Sequence, residues 1–369
     1  MPEQLAAECA RVAGLVGDEA EAWDLAGELP EKILDELGAR GLLCAQVPAT
    51  YGGLGFSSRD NGELTAFTGS LCSSLRSVMT SQGMAAWTVQ RLGDAAQRRH
   101  FLPRLTAGAR AAVGFSEPGA GSDLSTMDTE IRLDGDSVVL DGQKVWMTAA
   151  AYADLLVIVG RFGADGAAVV VPRTAPGVTV EPVADPLGCR AAGHADVRLD
   201  QVRLPVDHLL GGGGQPLSLL VTTALAYGRM SVAWGCAGIV RACRDAAVRH
   251  ARGRVQFGVP LAEHQLVARH LAELLVAEQI ATRACEHASD CWDRGSPEQV
   301  VATVLAKHVS AARAAEAAST AVQVLASAGA RDGHVVARAH RDAKLMELIE
   351  GSTEICQLIL AGHALATVS

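Results

Sequence analysis

Between about residue 111 and the run Gly211-Gly212-Gly213-Gly214 the chain changes texture, and that change restricts the folds open to it. Val113 to Asp123 is dense in turn formers, and Asp134-Gly135 and Asp141-Gly142 are hairpin signals between alternating runs. Val138–Leu140, Leu155–Val159, Ala168–Val171 and Val178–Val180 read as strands. On both sides the texture is helical. Pro30 can open a helix with Ile33, Leu34 and Leu37 on one side. Long Ala-rich segments over roughly 217–252, 260–293 and 297–328, with a final pair around Glu350, predict a bundle. The expected class is α+β. It has an N-terminal helical domain (1–110), a middle β-barrel-like domain (111–212) and a C-terminal helical bundle (213–369).

The 369 residues suffice for two or three domains, and 49% of them are hydrophobic, as in a globular chain. No apolar run reaches the roughly 18–20 residues that span a membrane, so no membrane partner is expected. The first residues lack the basic and apolar regions of a signal peptide, and nine scattered Cys without a C-x-x-C pair suit reduced thiols, which points to a cytoplasmic location. A net charge of −9 without a Lys/Arg stripe argues against nucleic acid. No metal is expected: His264 and His270 are six apart, off one helical face, and no H-E-x-x-H occurs. Gly53-Leu54-Gly55 lacks the third glycine of a dinucleotide fingerprint and reads as a turn. The glycine run at 211–214 reads as a flexible connector.

Arg341-Asp342-Ala343-Lys344 through Ile355 reads as helix, break, helix. Leu345, Leu348 and Ile349 form an apolar stripe, Gly351 can end the helix in a left-handed turn, and Ser352 can cap the next. Glu350 falls in the joint. Taken locally, it also reads as an ordinary charged helix end. The stretch resembles the C-terminal signature R-D-A-K…Y-E-G-T of the acyl-CoA dehydrogenase family, with Ile349 where the family often has Tyr. The resemblance implies that Glu350 is the base that removes the α-proton of an acyl thioester.

A second motif lies more than 200 residues upstream. Val113 to Asp123 resembles the family signature [ST]-E-P-x-A-G-S-D, which implies cofactor contacts from Val113, Phe115, Ser116, Gly121 and Ser122. Small residues let backbone N–H groups approach a flavin closely, and hydroxyls can donate to it. Gly142 to Thr148 resembles G-x-K-x-W-I-T, which implies that Trp146, Met147 and Thr148 face the isoalloxazine. Arg254, Gln256 and Phe257 stand in the R-x-x-F-G segment, whose Arg reaches a neighbouring subunit's cofactor, and Gln265 follows in register. Gln323 begins a stretch usually written Q-x-x-G-G-x-G, here without its Gly pair. Ser352, Thr353 and Glu354 match the cofactor-contacting turn after the base. Leu225 to Arg229 matches D-x-x-R with Ala226 at the Asp position. The implied substrate contacts are Ser122, Tyr227, Arg229 and Gly351.

The resemblance covers nearly the whole chain and implies the acyl-CoA dehydrogenase fold, FAD, and an FAD-dependent dehydrogenase acting on CH–CH bonds. It also implies a homodimer or homotetramer and a separate electron acceptor of unknown identity. Leu71 to Met84 and much of the rest look like the dehydrogenases of methoxymalonyl polyketide extender-unit pathways. Those act on a glycerate-derived acyl group held on an acyl carrier protein. Arg98, Arg99 and Arg104 are candidates for a basic patch that would meet such an acidic carrier. A conventional short-chain acyl-CoA dehydrogenase of fatty- or amino-acid breakdown, or a catalytically silent flavoprotein scaffold, stays open at this level.

Overall fold

The structure is a computed structural model that describes residues 2–367. Six helices come first: α1 (Glu3–Val16), α2 (Ala20–Ala26), α3 (Glu31–Ala39), α4 (Ser58–Leu71), α5 (Ser73–Leu92) and α6 (Ala95–Thr106). Ser57 caps α4 by accepting from Asp60 N–H, and Asp94 with Gln97 forms a capping box on α6. Every residue of α5 from Ser73 to Ala86 is buried. Its small side chains allow this. A Cβ on Gly83 would stand 2.1 Å from the Tyr227 hydroxyl.

Seven strands follow: β1 (Ala111–Gly114), β2 (Glu130–Asp134), β3 (Ser137–Met147), β4 (Leu155–Phe162), β5 (Asp165–Pro172), β6 (Val178–Pro182) and β7 (Ala195–Pro205). The sheet order is β1-β4-β2-β3-β7-β6, with β5 antiparallel on β4. β1 lies parallel to β4, and β4 and β5 are buried on both faces, so they read as continuous apolar runs. Asp134-Gly135 turns β2 into β3, as expected. Asp141-Gly142 does not make a hairpin. It lies within β3 at a bulge, where a Cβ on Gly142 would meet the Thr129 hydroxyl at 2.5 Å. The glycine run at 211–214 is also not a loose connector. All four residues have positive φ, Gly211 N–H donates to Gln97, and Gly214 N–H donates to Gly166.

The chain then returns to helices: α7 (Leu217–Gly253), a short hairpin β8 (Val255–Gln256) and β9 (Val259–Pro260), α8 (Gln265–Asp293), α9 (Gln299–Leu325), α10 (Val335–Leu348) and α11 (Thr353–Thr367). With 37 residues, α7 is about 55 Å long. It packs on α4 and α5 as well as on α8, α9 and α10, so the first and last helical regions share one interior. Trp234 of α7 is fully buried there, and its indole N–H donates to Ser289 of α8. None of the helices described is long and apolar enough to cross a membrane.

Candidate active site

α5, the 113–125 loop, the end of β3, the first half of α7 and the α10–α11 joint enclose a cavity of about 800 Å³. Val113, Phe115, Ser116, Gly121, Ser122, Trp146, Met147, Thr148, Arg229, Glu350, Gly351 and Ser352, all singled out from sequence, line it. The cavity thus joins segments up to about 280 residues apart in the chain.

The joint is built tightly. α10 ends at Leu348, Glu350 has φ +56° and Gly351 φ +93°, and Ser352 Oγ accepts from Ile355 N–H to start α11. A positive φ at Glu is costly, and the surroundings hold it there. Arg229 Nε donates to the Glu350 carbonyl at 3.0 Å, and buried Lys307 donates to the carbonyls of Gly351 (2.6 Å) and Glu347 (3.3 Å). These bonds leave the carboxylate itself free. Oε2 of Glu350 is buried without a partner among the described residues, and Gly228 of α7 makes its space, since a Cβ there would stand 2.2 Å from that oxygen. The residue keeps some surface, but its carboxylate end is enclosed. Burial pushes the carboxyl up to about 7, against the opposing pull of Arg229, Lys307 and Arg76.

The facing wall is braced by a buried ion pair. Lys144 of β3 donates to Glu117 Oε1 at 2.6 Å and to the Phe115 carbonyl at 3.0 Å, and Glu117 also accepts from Thr129 N–H. Val145 N–H adds a bond to the Ser116 carbonyl, so the 113–123 loop is fixed to β3. Trp146 and Ala149, at the end of β3, both have positive φ, and the Trp146 ring is half exposed toward the cavity. Thr148 is held from two sides: its carbonyl accepts from Ser81 Oγ, and its hydroxyl meets His194 Nδ1 at 3.3 Å.

Other residues singled out from sequence fall elsewhere. Tyr227 is buried behind the wall and accepts from Asn61 Nδ2. Arg254, Gln256 and Phe257 sit on the exposed β8–β9 hairpin, with Phe257 96% exposed. Gln265 opens α8 and Gln323 lies near the end of α9, both exposed. Thr353 and Glu354 begin α11 and do not line the cavity. Ala326, at the first position of the missing Gly pair, nonetheless has φ +51°. Among the described residues, His287, Cys291 and Glu298 bring their ligand atoms within 4.8 Å of one another at the α8–α9 turn, outside the cavity.

Sequence reasoning missed four residues. Arg76, Thr80 and His194 line the cavity, and Lys307 braces the joint. Burial lowers His194 to about 4, so the imidazole is neutral, with Nε2 unpartnered among the described residues. Only Arg76 carried a signal: it is the sole charged residue between Glu63 and Arg91.

A buried, partner-free carboxylate opposite a wall of hydroxyls and one open aromatic face is the arrangement of a flavin-dependent acyl-thioester dehydrogenase. The comparisons agree. The chain matches the acyl-CoA dehydrogenase N-terminal domain over residues 3–109, the middle domain over 112–202 and the C-terminal domain over 219–365. It is 31% identical to the probable acyl-CoA dehydrogenase YngJ of Bacillus subtilis (strain 168), over 95% of this chain and 94% of that protein. Among solved structures, FkbI, for biosynthesis of the methoxymalonyl extender unit of the Fk520 polyketide, is 65% identical. It covers 97% of this chain and 99% of its own, with a TM-score of 0.93. A glutaryl-CoA dehydrogenase from Mycobacterium smegmatis in complex with FADH2 is 25% identical, covers 100% of this chain and 96% of its own, and has a TM-score of 0.92. The chain belongs to the acyl-CoA dehydrogenase family. It is an FAD-dependent oxidoreductase acting on acyl thioesters.

The cavity fits the cofactor. The Ser116, Ser122 and Thr148 hydroxyls, the Trp146 face and the open space at Gly121 form a wall on which a flavin ring can lie.

Proposed function

We propose that the chain dehydrogenates a short, polar, glycerate-derived acyl group carried on an acyl carrier protein, with Glu350 as the base. The observation that supports this most is the Glu350 carboxylate, enclosed, without a partner among the described residues and near neutral pKa. A base of that pKa works well at physiological pH. Held against Ser116, Trp146 and Thr148, a bound FAD would supply the two-electron acceptor for the β-hydrogen. The protein does the rest. Glu350 takes the α-proton. The Glu350 N–H has no backbone acceptor among the described residues and is free to polarise the thioester carbonyl. Arg229 and Lys307 hold the turn so that base and donor stay in register. Loss of hydrogen across Cα–Cβ of a 2,3-dihydroxypropanoyl thioester leaves an enol, which tautomerises to the semialdehyde.

The likeness to FkbI supports the extender-unit setting. In this reading Val113, Phe115, Ser116, Gly121, Ser122, Trp146, Met147 and Thr148 hold the flavin, Ser352 meets it from the joint, and Thr353 and Glu354 serve the part of FAD outside the cavity. Gln265, Gln323 and the Arg254–Gln256–Phe257 hairpin serve the cofactor of a second subunit in a homodimer or homotetramer. Tyr227 backs the acyl site that Ser122, Arg229 and Gly351 border. Arg99 and Arg104 are exposed on α6 and Arg98 folds onto the Gln90 carbonyl, which leaves two cations for a carrier.

Anaerobic flavin bleaching tests the reading. Glyceryl-carrier protein, glyceryl-CoA and butyryl-CoA are mixed with the holoenzyme. Rapid bleaching by the carrier-bound glyceryl group alone supports it. Bleaching by butyryl-CoA with indifference to the carrier makes this a conventional acyl-CoA dehydrogenase. Glu350→Gln should keep FAD and lose nearly all bleaching.

A further inference from the structure

The end of α8 carries groups that the active site does not use. His287 and Cys291 lie four residues apart on α8, on one face and one turn from each other. The chain then reverses through Arg294-Gly295-Ser296-Pro297. Gly295 has φ +62°, and the N–H groups of Gly295 and Ser296 donate to the Trp292 and Cys291 carbonyls at 3.0 and 2.9 Å. Ser296 Oγ accepts from Glu298 N–H at 3.2 Å. These bonds close α8 and bring Glu298, just ahead of α9, back to the His–Cys pair. His287 Nε2 stands 3.8 Å from Cys291 Sγ, and one ligand atom from each of the three side chains lies within 4.8 Å of the other two.

Nothing else claims these side chains. Glu298 holds the N-cap position of α9 without capping it. Apart from the His–Cys contact, none of the three has an ion pair or side-chain hydrogen bond among the described residues. The neighbouring charges are already engaged. Asp290 pairs with Arg294 at 3.6 Å, Glu286 pairs with Arg59 and Arg283, and Asp293 accepts from Ser58 N–H at 2.7 Å. The sulfur is also held in place. Cys291 is 5% exposed and belongs to the core, and Trp292 beside it packs on Trp87 of α5 with ring centroids 4.7 Å apart. His287 and Glu298 are exposed, so an ion can arrive from water onto a fixed thiol.

We propose that His287, Cys291 and Glu298 bind a zinc ion at the α8–α9 turn. In a tetrahedral zinc site the sulfur and imidazole nitrogen stand about 3.6 Å apart, close to the spacing found here. Thiolate and carboxylate together cancel the charge of a divalent ion. A ligand set of sulfur, nitrogen and oxygen suits zinc, whereas magnesium and calcium take oxygen. Binding releases the thiol proton to solvent, and the fourth position is left to water. The ion ties the end of α8 to the start of α9, where Val300, two residues past Glu298, lines the cavity. The site is separate from Glu350 and does not depend on its role. In the sequence the three ligands read H-x3-C-x6-E, a spacing that a search for paired histidines passes over.

The test uses the FAD-loaded enzyme, stripped of metal with a chelator and then given Zn(II) or Co(II). Elemental analysis after gel filtration counts the zinc retained, and competition with a chromophoric chelator gives its affinity. Co(II) is followed by its d–d absorption in the red, beyond the flavin bands. Wild type should retain about one zinc per chain, give the intense Co(II) absorption of a tetrahedral thiolate site, and gain Tm with zinc. His287→Gln, Cys291→Ser and Glu298→Gln should each weaken zinc binding by about tenfold or more. His287 and Glu298 are exposed, so their variants decide the matter if Cys291→Ser fails to fold. A wild type that retains no zinc overturns the proposal. Equal zinc affinity in wild type and the variants overturns it too, because the metal is then held elsewhere. Weak, octahedral Co(II) absorption that Cys291→Ser leaves unchanged removes the thiolate, and with it the site.

Discussion

Lys307 reaches from α9 into the turn that carries Glu350 and donates to the Gly351 carbonyl at 2.6 Å. It is a buried cation spent on backbone carbonyls. Burial lowers its pKa, and the Glu350 and Cys356 side chains nearby oppose that fall. The bond does two things at once: it closes the C-terminus of α10, and it sets a positive charge near the base.

Lys307→Met should move the pH profile of substrate reduction. Glu350 works ionised, so the rate falls as pH drops through its pKa, about 7. Removing Lys307 removes one of the charges that hold that pKa down, so the profile should shift to higher pH, by on the order of half to one unit, and the rate at pH 7 should fall about two- to fivefold. Lys307→Arg should keep the profile near wild type. Stopped-flow reduction from pH 5.5 to 9 measures the shift, and a profile that only drops in height would limit Lys307 to a structural role.

Glu350 should also cost stability. Its folded pKa is raised from 4.5 to about 7, so the folded state holds the extra proton in that window. Stability is then lost as pH rises from 4.5 to about 7, and the penalty is complete above it, on the order of 3 kcal/mol at most. Glu350→Gln has no such titration. Its Tm should exceed that of wild type at pH 8 and come close to it at pH 5. An equal difference at both pH values would contradict the raised pKa.

Gly228→Ala should injure catalysis and spare the cofactor. The new Cβ would overlap the Glu350 carboxylate at 2.2 Å and the Met84 sulfur at 3.0 Å. Displacing a base by about 1 Å can cost on the order of 100-fold. Flavin absorbance of the purified protein gives occupancy, and single-turnover reduction gives the loss.

Ala326 pays for a backbone conformation that glycine adopts freely, φ +51° and ψ −132° at the end of α9. Ala326→Gly should stabilise the protein by about 1 kcal/mol. A urea midpoint that falls instead of rising would show that the methyl group packs well enough to outweigh the strain.

Much of this was legible in the sequence for physical reasons. Ala-rich helices and Val-rich buried strands carry their own periodicities, and Glu350 sits in a local helix–turn–helix whose glycine and cap are short-range signals. β7 was not legible. Val197 and Leu199 face one side, then Gln201 at φ +47° inserts a bulge, and Val202 and Leu204 resume out of phase, which hides the period of two. Arg76, His194 and Lys307 come from three distant segments, and no local pattern says they converge. A lone charge in an uncharged helix was the one clue to Arg76. The room for its side chain depends on Gly235 of α7, 159 positions away in the chain, where a Cβ would stand 2.7 Å from Arg76 Nε.

The shared interior of α4, α5 and α7 also sets an order of assembly during synthesis. Residues 58–92 have no finished packing until residues 217–253 have left the ribosome, because Gly62 receives Trp234 and Gly69 and Gly83 receive Gly235 and Tyr227. The strands between them pair with one another and can close earlier. The second region to be made is thus the first able to finish, and the first waits, with apolar surface open, for more than a hundred residues of translation. A chain stalled before α7 would present that unfinished surface to chaperones, and one stalled after α9 would not.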